Sequence, residues 1–291
     1  MWYGTDMYTV TRSVHLSKLC VGILFTTVGA LSVHAVMLQI LNVPFPELSA
    51  ISPAYKFAIR VMATLGLIVF WQLASQNIHG LFVKKSAALF LFSTMLTETL
   101  FRGPFMDAYC TTAWAFIFVA NSQKVLTMAI ASLMIVAATP KLPLVWQKLA
   151  GAIVITSLTA FAIGPLIGKG MAPVMAAIAH LAPQGEWCTL PYGPNVLIPA
   201  YLTFLEPVLA CLAGATLIWD RLSPSRGLRF AQFTVLILAI KNQLVTPLVY
   251  AVLAKMPFLS ALTSDGQFAL EAVALALLTG IAWEWSTARR P

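Results

Sequence analysis

The chain has 291 residues, 59% of them hydrophobic and only 10% charged, with a formal charge of +8. A soluble domain carries about 25% charged residues, and this apolar excess is too large for one water-soluble core of such length. Basic residues never run longer than two, so the positive charge is read as Lys and Arg held in cytoplasmic loops and not as a nucleic-acid surface.

Eight apolar stretches follow in chain order: 19–41, 57–74, 87–101, 113–138, 149–167, 196–219, 230–253 and 268–285. A membrane helix needs about 20 apolar residues, and strict two-residue alternation is absent, so the stretches read as helices. The expected fold is an all-α integral membrane protein, a bundle of about eight transmembrane helices, with residues 1–291 forming a single polytopic domain. The third stretch is short. The fourth contains a polar island, Asn121-Ser122-Gln123-Lys124, and is expected to start at the interface or to break there. No internal repeat is obvious.

Orientation follows from the basic residues. With the N-terminus inside, the cytoplasmic segments hold Arg12, Lys18, Lys84, Lys85, Lys141, Lys148, Arg221, Arg226, Arg229, Arg289 and Arg290. The outer segments hold Lys56, Arg60, Arg102, Lys169 and Lys255, while Lys124 and Lys241 fall within apolar stretches. Both termini are expected to be cytoplasmic, in a bacterial inner or plasma membrane. Arg12, Lys18 and the first apolar run also resemble a signal peptide, with Val33-His34-Ala35 as a cleavage site. The continuation of the run through Leu41 favours an uncleaved first helix.

Two cysteines, Cys20 and Cys211, read as small apolar side chains. Cys110 and Cys188 both fall on the expected outer face, where a disulfide would pin the long segment 170–195. Within that segment, 171–181 is expected to form a short helix along the surface. The four His and four Cys never cluster, so no metal site is expected.

Ionisable groups inside a membrane helix face a cavity and pair. Glu98, Arg102, Lys124, Glu206, Lys241 and Glu271 all fall within or at the ends of the apolar stretches. At 1.5 Å per residue, Glu206 and Lys241 lie ~15 and ~17 Å deep, so an ion pair between the sixth and seventh helices is expected. Pro207 and Pro247 bend those helices, and Asn242, Gln243 and Thr246 add polar atoms nearby. Together they outline a polar pocket in the middle and outer half of the bilayer. The plainer alternative is that charges such as Glu98–Arg102, a favourable i, i+4 pair, fix helix register. His34 reads as a packed or hydrogen-bonded residue, and Gly164-x-x-x-Gly168 as a close helix contact.

Glu98-Thr-Leu-Phe-Arg-Gly103 looks like part of the first motif of the membrane-embedded CAAX-type proteases. That family expects two adjacent glutamates where this chain has Thr97 and Glu98, and later histidines that are absent, so the resemblance does not extend to that activity. Lys241 with Glu98 resembles the retinal lysine and counterion of rhodopsins, but Ile240-Lys-Asn-Gln243 does not match that family. Haem would need paired membrane histidines, and no nucleotide-binding or nucleophile motif is present. The sequence bears no signature of a cofactor or protein partner. Its expected partners are the lipid bilayer and a small solute, ion or lipid. The leading expectation is transport of a small solute or ion. The alternatives are a membrane-embedded enzyme acting on a lipid or lipid-linked substrate, and a non-catalytic membrane subunit.

Overall fold

The computed structural model describes residues 13–47 and 52–288; Arg12, Arg289 and Arg290, used above for orientation, lie outside them. The elements in chain order are α1 (Leu16–Gln39), α2 (Pro53–Ala74), α3 (Phe82–Leu96), α4 (Arg102–Thr111), α5 (Trp114–Ala138) and α6 (Val145–Leu158). There follow α7 (Gly164–Ala177), α8 (Pro194–Thr203), α9 (Leu205–Ile218), α10 (Arg226–Ile240), α11 (Thr246–Leu253) and α12 (Phe258–Ser286). A two-residue pairing of Ser13–Val14 with Thr287–Ala288 joins the two ends of the described chain.

Among the described residues, six helical runs are long and apolar enough to cross a membrane: α1, α2, α5 with its terminal 3-10 turn, α6–α7, α8–α9 with its terminal 3-10 turn, and α12. The protein is therefore an all-helical membrane protein. Proline sets the joints inside two of these runs. Pro165 has no N–H for the carbonyl four residues back, and the chain passes from α6 to α7 through a π-turn, Thr159–Ile163. Pro207 likewise cannot bond Thr203, the last residue of α8.

The structure corrects two local expectations. The α7 helix continues α6 through Ala177, so 171–177 belongs to the long helix and not to a separate surface helix; only Ala179–Leu181 forms its own turn. The fourth stretch does not break at its polar island. The α5 helix runs unbroken because the island is satisfied by neighbours: Asn121 donates to the Thr99 carbonyl at 2.7 Å, and Gln123 to the Gly164 carbonyl at 3.1 Å.

The breaks fall instead at the end of the third stretch and within the seventh, between α3 and α4 and between α10 and α11. Both breaks use the same device. Glu98 (φ 59°) and Asn242 (φ 61°) take the left-handed conformation just past the helix end. The next N–H reaches back five residues: Thr99 to Thr94 at 2.8 Å, and Gln243 to Leu238 at 2.7 Å. Glu98 bonds Met95 and Asn242 bonds Ala239, each at 3.1 Å. This double bond pattern is the Schellman motif, in which asparagine is the second choice after glycine.

The recurrence extends well beyond the breaks. Phe82 to Arg226, Leu96 to Ile240, Arg102 to Thr246 and Trp114 to Phe258 are each a step of 144 residues between matching helix ends. So is the step from Ala74 to Ile218, each followed by a 3-10 turn. Packing follows the same rule: α2 lies on α10 as α9 lies on α3, and α1 lies on α12 as α7 lies on α5. The fold is thus an internal duplication of four apolar segments, which identity between the halves is too low to reveal. At the α1–α12 contact, Gly22 permits close approach, since a Cβ there would meet the Ala282 Cβ at 2.6 Å.

Cys110 at the end of α4 and Cys188 form the expected disulfide. The Trp187 N–H donates to the Cys110 carbonyl at 3.0 Å, and its indole N–H to the Tyr109 carbonyl at 2.8 Å. Changing both cysteines to serine is expected to lower stability by about 2 kcal/mol and to make the segment between α7 and α8 protease-sensitive. Thermal melts and limited proteolysis in detergent check this; unchanged proteolysis would mean that the tryptophan contacts alone hold the segment.

Candidate functional site

The two breaks face each other, and the buried charges meet there. Lys241, at the end of α10, reaches across to the first break. Its Nζ lies 2.5 Å from Glu98 Oε1 and 3.9 Å from Glu271 Oε1 of α12. It also donates to the Leu96 carbonyl at 3.4 Å, placing a cation at the negative end of the α3 dipole. The other Glu98 oxygen takes the Arg102 Nε at 2.6 Å. Arg102 donates further to the Ala200 carbonyl at 2.8 Å and Thr203 Oγ1 at 3.1 Å, and its guanidinium lies 5.0 Å from the Phe204 ring centre. The side chains of Lys241 and Glu271 are only 8% and 6% exposed, so these are low-dielectric pairs in which a missing partner is costly.

Glu206 has a different role from the one expected. It does not pair with Lys241. Its carboxylate accepts the N–H of Phe101 at 3.0 Å and that of Arg102, so it caps the positive end of α4. Chain position puts Glu206 and Lys241 at similar depths, but the break after α3 offers each a nearer partner. Glu98–Arg102 does pair, across the break and not along a helical turn. Lys124 is exposed on α5 and takes no part.

A cavity of about 260 Å³ is lined by Glu98, Arg102, Lys241, Asn242, Gln243 and Glu271, with His34, Thr97 and Phe268. Seven of these nine residues belong to the breaks or were singled out for charge in the sequence. His34, expected to be packed or hydrogen-bonded, meets the first expectation only. It does pack against Phe268, the two rings tilted with centres 4.7 Å apart, yet its buried Nδ1 has no hydrogen-bond partner among the described residues. Its ring also lines a second cavity of about 260 Å³ beneath the disulfide, with Arg102, Cys110, Cys188 and Tyr192. There burial pushes the Tyr192 hydroxyl pKa up, and nearby Glu186 adds to the shift. A third cavity, of about 490 Å³, shares Lys241, Asn242, Gln243 and Phe268 with the central one and includes Lys56, Arg60 and Asp265.

Asp265 is not legible from hydropathy, because the eighth apolar stretch begins at Phe268 although α12 starts at Phe258. The available signal was the Asp-x-Gln spacing at 265–267, which repeats Asn-x-Gln at 121–123, 144 residues earlier.

No protein-family model, no curated protein and no solved structure matches this chain. The functional reading therefore rests on the geometry of the two breaks.

Proposed function

We propose that this protein moves a small solute or ion across the membrane, by way of the cavity between its two broken helices. The observation that carries the reading is the meeting of two breaks that share the same pair of Schellman hydrogen bonds, joined by the Lys241–Glu98 pair at 2.5 Å. Irregular backbone at membrane depth is tolerated where it is buried in protein or lines a polar cavity. Discontinuous helices at the interface of internal repeats are a recurrent way of building transport sites. In this reading α3–α4 and α10–α11 complete the third and seventh of eight crossings. Four crossings per repeat leave the halves in the same orientation, related by an axis along the membrane normal. The excess of lysine and arginine in alternate loops puts both termini in the cytoplasm, and the cavity in the middle and outer half of a bacterial inner or plasma membrane.

The charges suit a site that opens and closes. Lys241 holds the two halves together through Glu98, while Glu271 of its own half stands 3.9 Å away, so a solute or ion that competes for the Lys241–Glu98 pair would loosen one half from the other. The test is uptake into vesicles reconstituted with purified protein, screening monovalent cations, amino carboxylates and sugars. A flux seen with wild type is expected to fall at least tenfold in Lys241→Met. Undiminished flux in that variant would remove the cavity from the pathway. The absence of flux across the screen would favour an enzyme or subunit role.

A further inference from the structure

The two halves satisfy their breaks differently, and the difference describes a ligand. In the first half the chain itself supplies two groups. The Asn121 amide donates to the Thr99 carbonyl, and the Glu206 carboxylate accepts the N–H groups of Phe101 and Arg102. In the second half, 144 residues on, Asn121 is replaced by Asp265 and Thr99 by Gln243. A carboxylate at that position offers acceptors and no donor for a backbone carbonyl. The matching step back from Glu206 reaches Met62 on α2, which cannot cap a helix terminus. Among the described residues, the N–H groups of Val245 and Thr246 accordingly have no acceptor.

The unmet groups converge on one place. Asp265 is 2% exposed, and its Oδ2 has no partner among the described residues; nor have the Gln243 Oε1 and Asn242 Oδ1. All three residues line the 490 Å³ cavity, together with Thr246 at the start of α11. The arginine has also changed sides. In the first half Arg102 comes from the break and lies over Phe204. In the second the break offers Thr246, and the position matching Phe204 is Arg60, which lines the cavity beside Lys56.

We propose that this cavity binds a small amino carboxylate, whose ammonium bridges Asp265 and the Gln243 carbonyl and whose carboxylate caps the N-terminus of α11 beside Arg60. The ligand supplies the donor and the acceptor that Asn121 and Glu206 supply in the first half. A helix N-terminus with a flanking arginine suits the carboxylate. Buried acceptors without donors suit the ammonium, whose three N–H groups can reach several of them at once. The unmet carbonyl and N–H groups lie two or three residues apart along the break, so the ligand's charged ends are close together. Binding at this cavity does not depend on flux, so the inference and the transport reading can fail separately.

The test is titration calorimetry on the purified full chain in mild detergent, with glycine, β-alanine and 4-aminobutanoate as probes. Acetate and methylammonium serve as the separate halves. At least one amino carboxylate is expected to bind at least tenfold more tightly than either half. Two variants rebuild the first-half arrangement in the second: Asp265→Asn supplies the amide donor and Met62→Glu the capping carboxylate. Each is expected to weaken binding at least tenfold while the melting temperature holds or rises, which separates loss of the site from loss of the fold. Arg60→Gln, at the cavity mouth, is expected to weaken binding without affecting melting. Failure of all three probes to bind at millimolar concentration overturns the proposal. So does unchanged affinity in Asp265→Asn, or acetate binding as tightly as the amino carboxylates, which would leave an anion site only.

Discussion

Glu98→Gln is expected to lower the unfolding free energy in detergent by about 3–5 kcal/mol, the range for removing one partner of a buried ion pair. Both carboxylate oxygens are engaged, one by Lys241 at 2.5 Å and the other by Arg102 at 2.6 Å. The variant leaves two cations in a site where Glu271 stands 3.9 Å from Lys241 and cannot replace either contact. Backbone conformation can be separated from charge. Glu98→Asn installs the residue that occupies the matching position in the second half and that favours positive φ, so a loss there reports the missing carboxylate and its reach and not backbone conformation. Removing both partners, in Glu98→Gln with Lys241→Met, is expected to cost less than the sum of the single changes, by about 0.5–3 kcal/mol. Denaturant unfolding of the four proteins closes this cycle. A Glu98→Gln loss below about 1 kcal/mol, the range of a solvated surface pair, would show that water reaches the cluster freely.

Glu206→Ala carries the second large effect. Two N–H groups donate to this carboxylate at the start of α4, and a hydrogen bond to a charged group contributes about 1.5–3 kcal/mol. A loss of about 3 kcal/mol is expected, with Glu206→Gln losing about half as much because it keeps one acceptor oxygen. Amide exchange at Phe101 and Arg102 should quicken in the alanine variant, while exchange at Ile237 and Ile240 in α10 stays as in wild type. Equal acceleration in both regions would mean that Glu206 acts on the whole bundle and not as a cap.

The two halves also show where local chemistry speaks and where it is silent. Asn242, with a proline five residues on, is a readable helix stop. Glu98 is not, because glutamate rarely takes positive φ, and only Gly103-Pro104 hinted at a restart. The polar island 121–124 looked like a break because four polar residues in lipid are costly. Its partners, the carbonyls of Thr99 in the first break and Gly164 at the start of α7, lie far along the chain and have no signature near the island itself. The duplication was hidden for a similar reason. Lipid-facing and packing positions accept many apolar residues, so identity between the halves fades while helix ends and break geometry persist.

Composition and apolar run length alone determined that the chain is a helical membrane protein, because only helices or closed barrels satisfy their backbone in hydrocarbon. Chain position alone also pointed to the Cys110–Cys188 bridge and to the buried charges Glu98, Arg102, Lys241 and Glu271. Tertiary structure decided which charges pair, that Glu206 serves a helix end, that Lys124 stands apart, and that the third and seventh stretches are broken at matching places. Those outcomes depend on which helix lies beside which. A buried charge takes the partner within 3 or 4 Å, and separation along the chain does not set that distance.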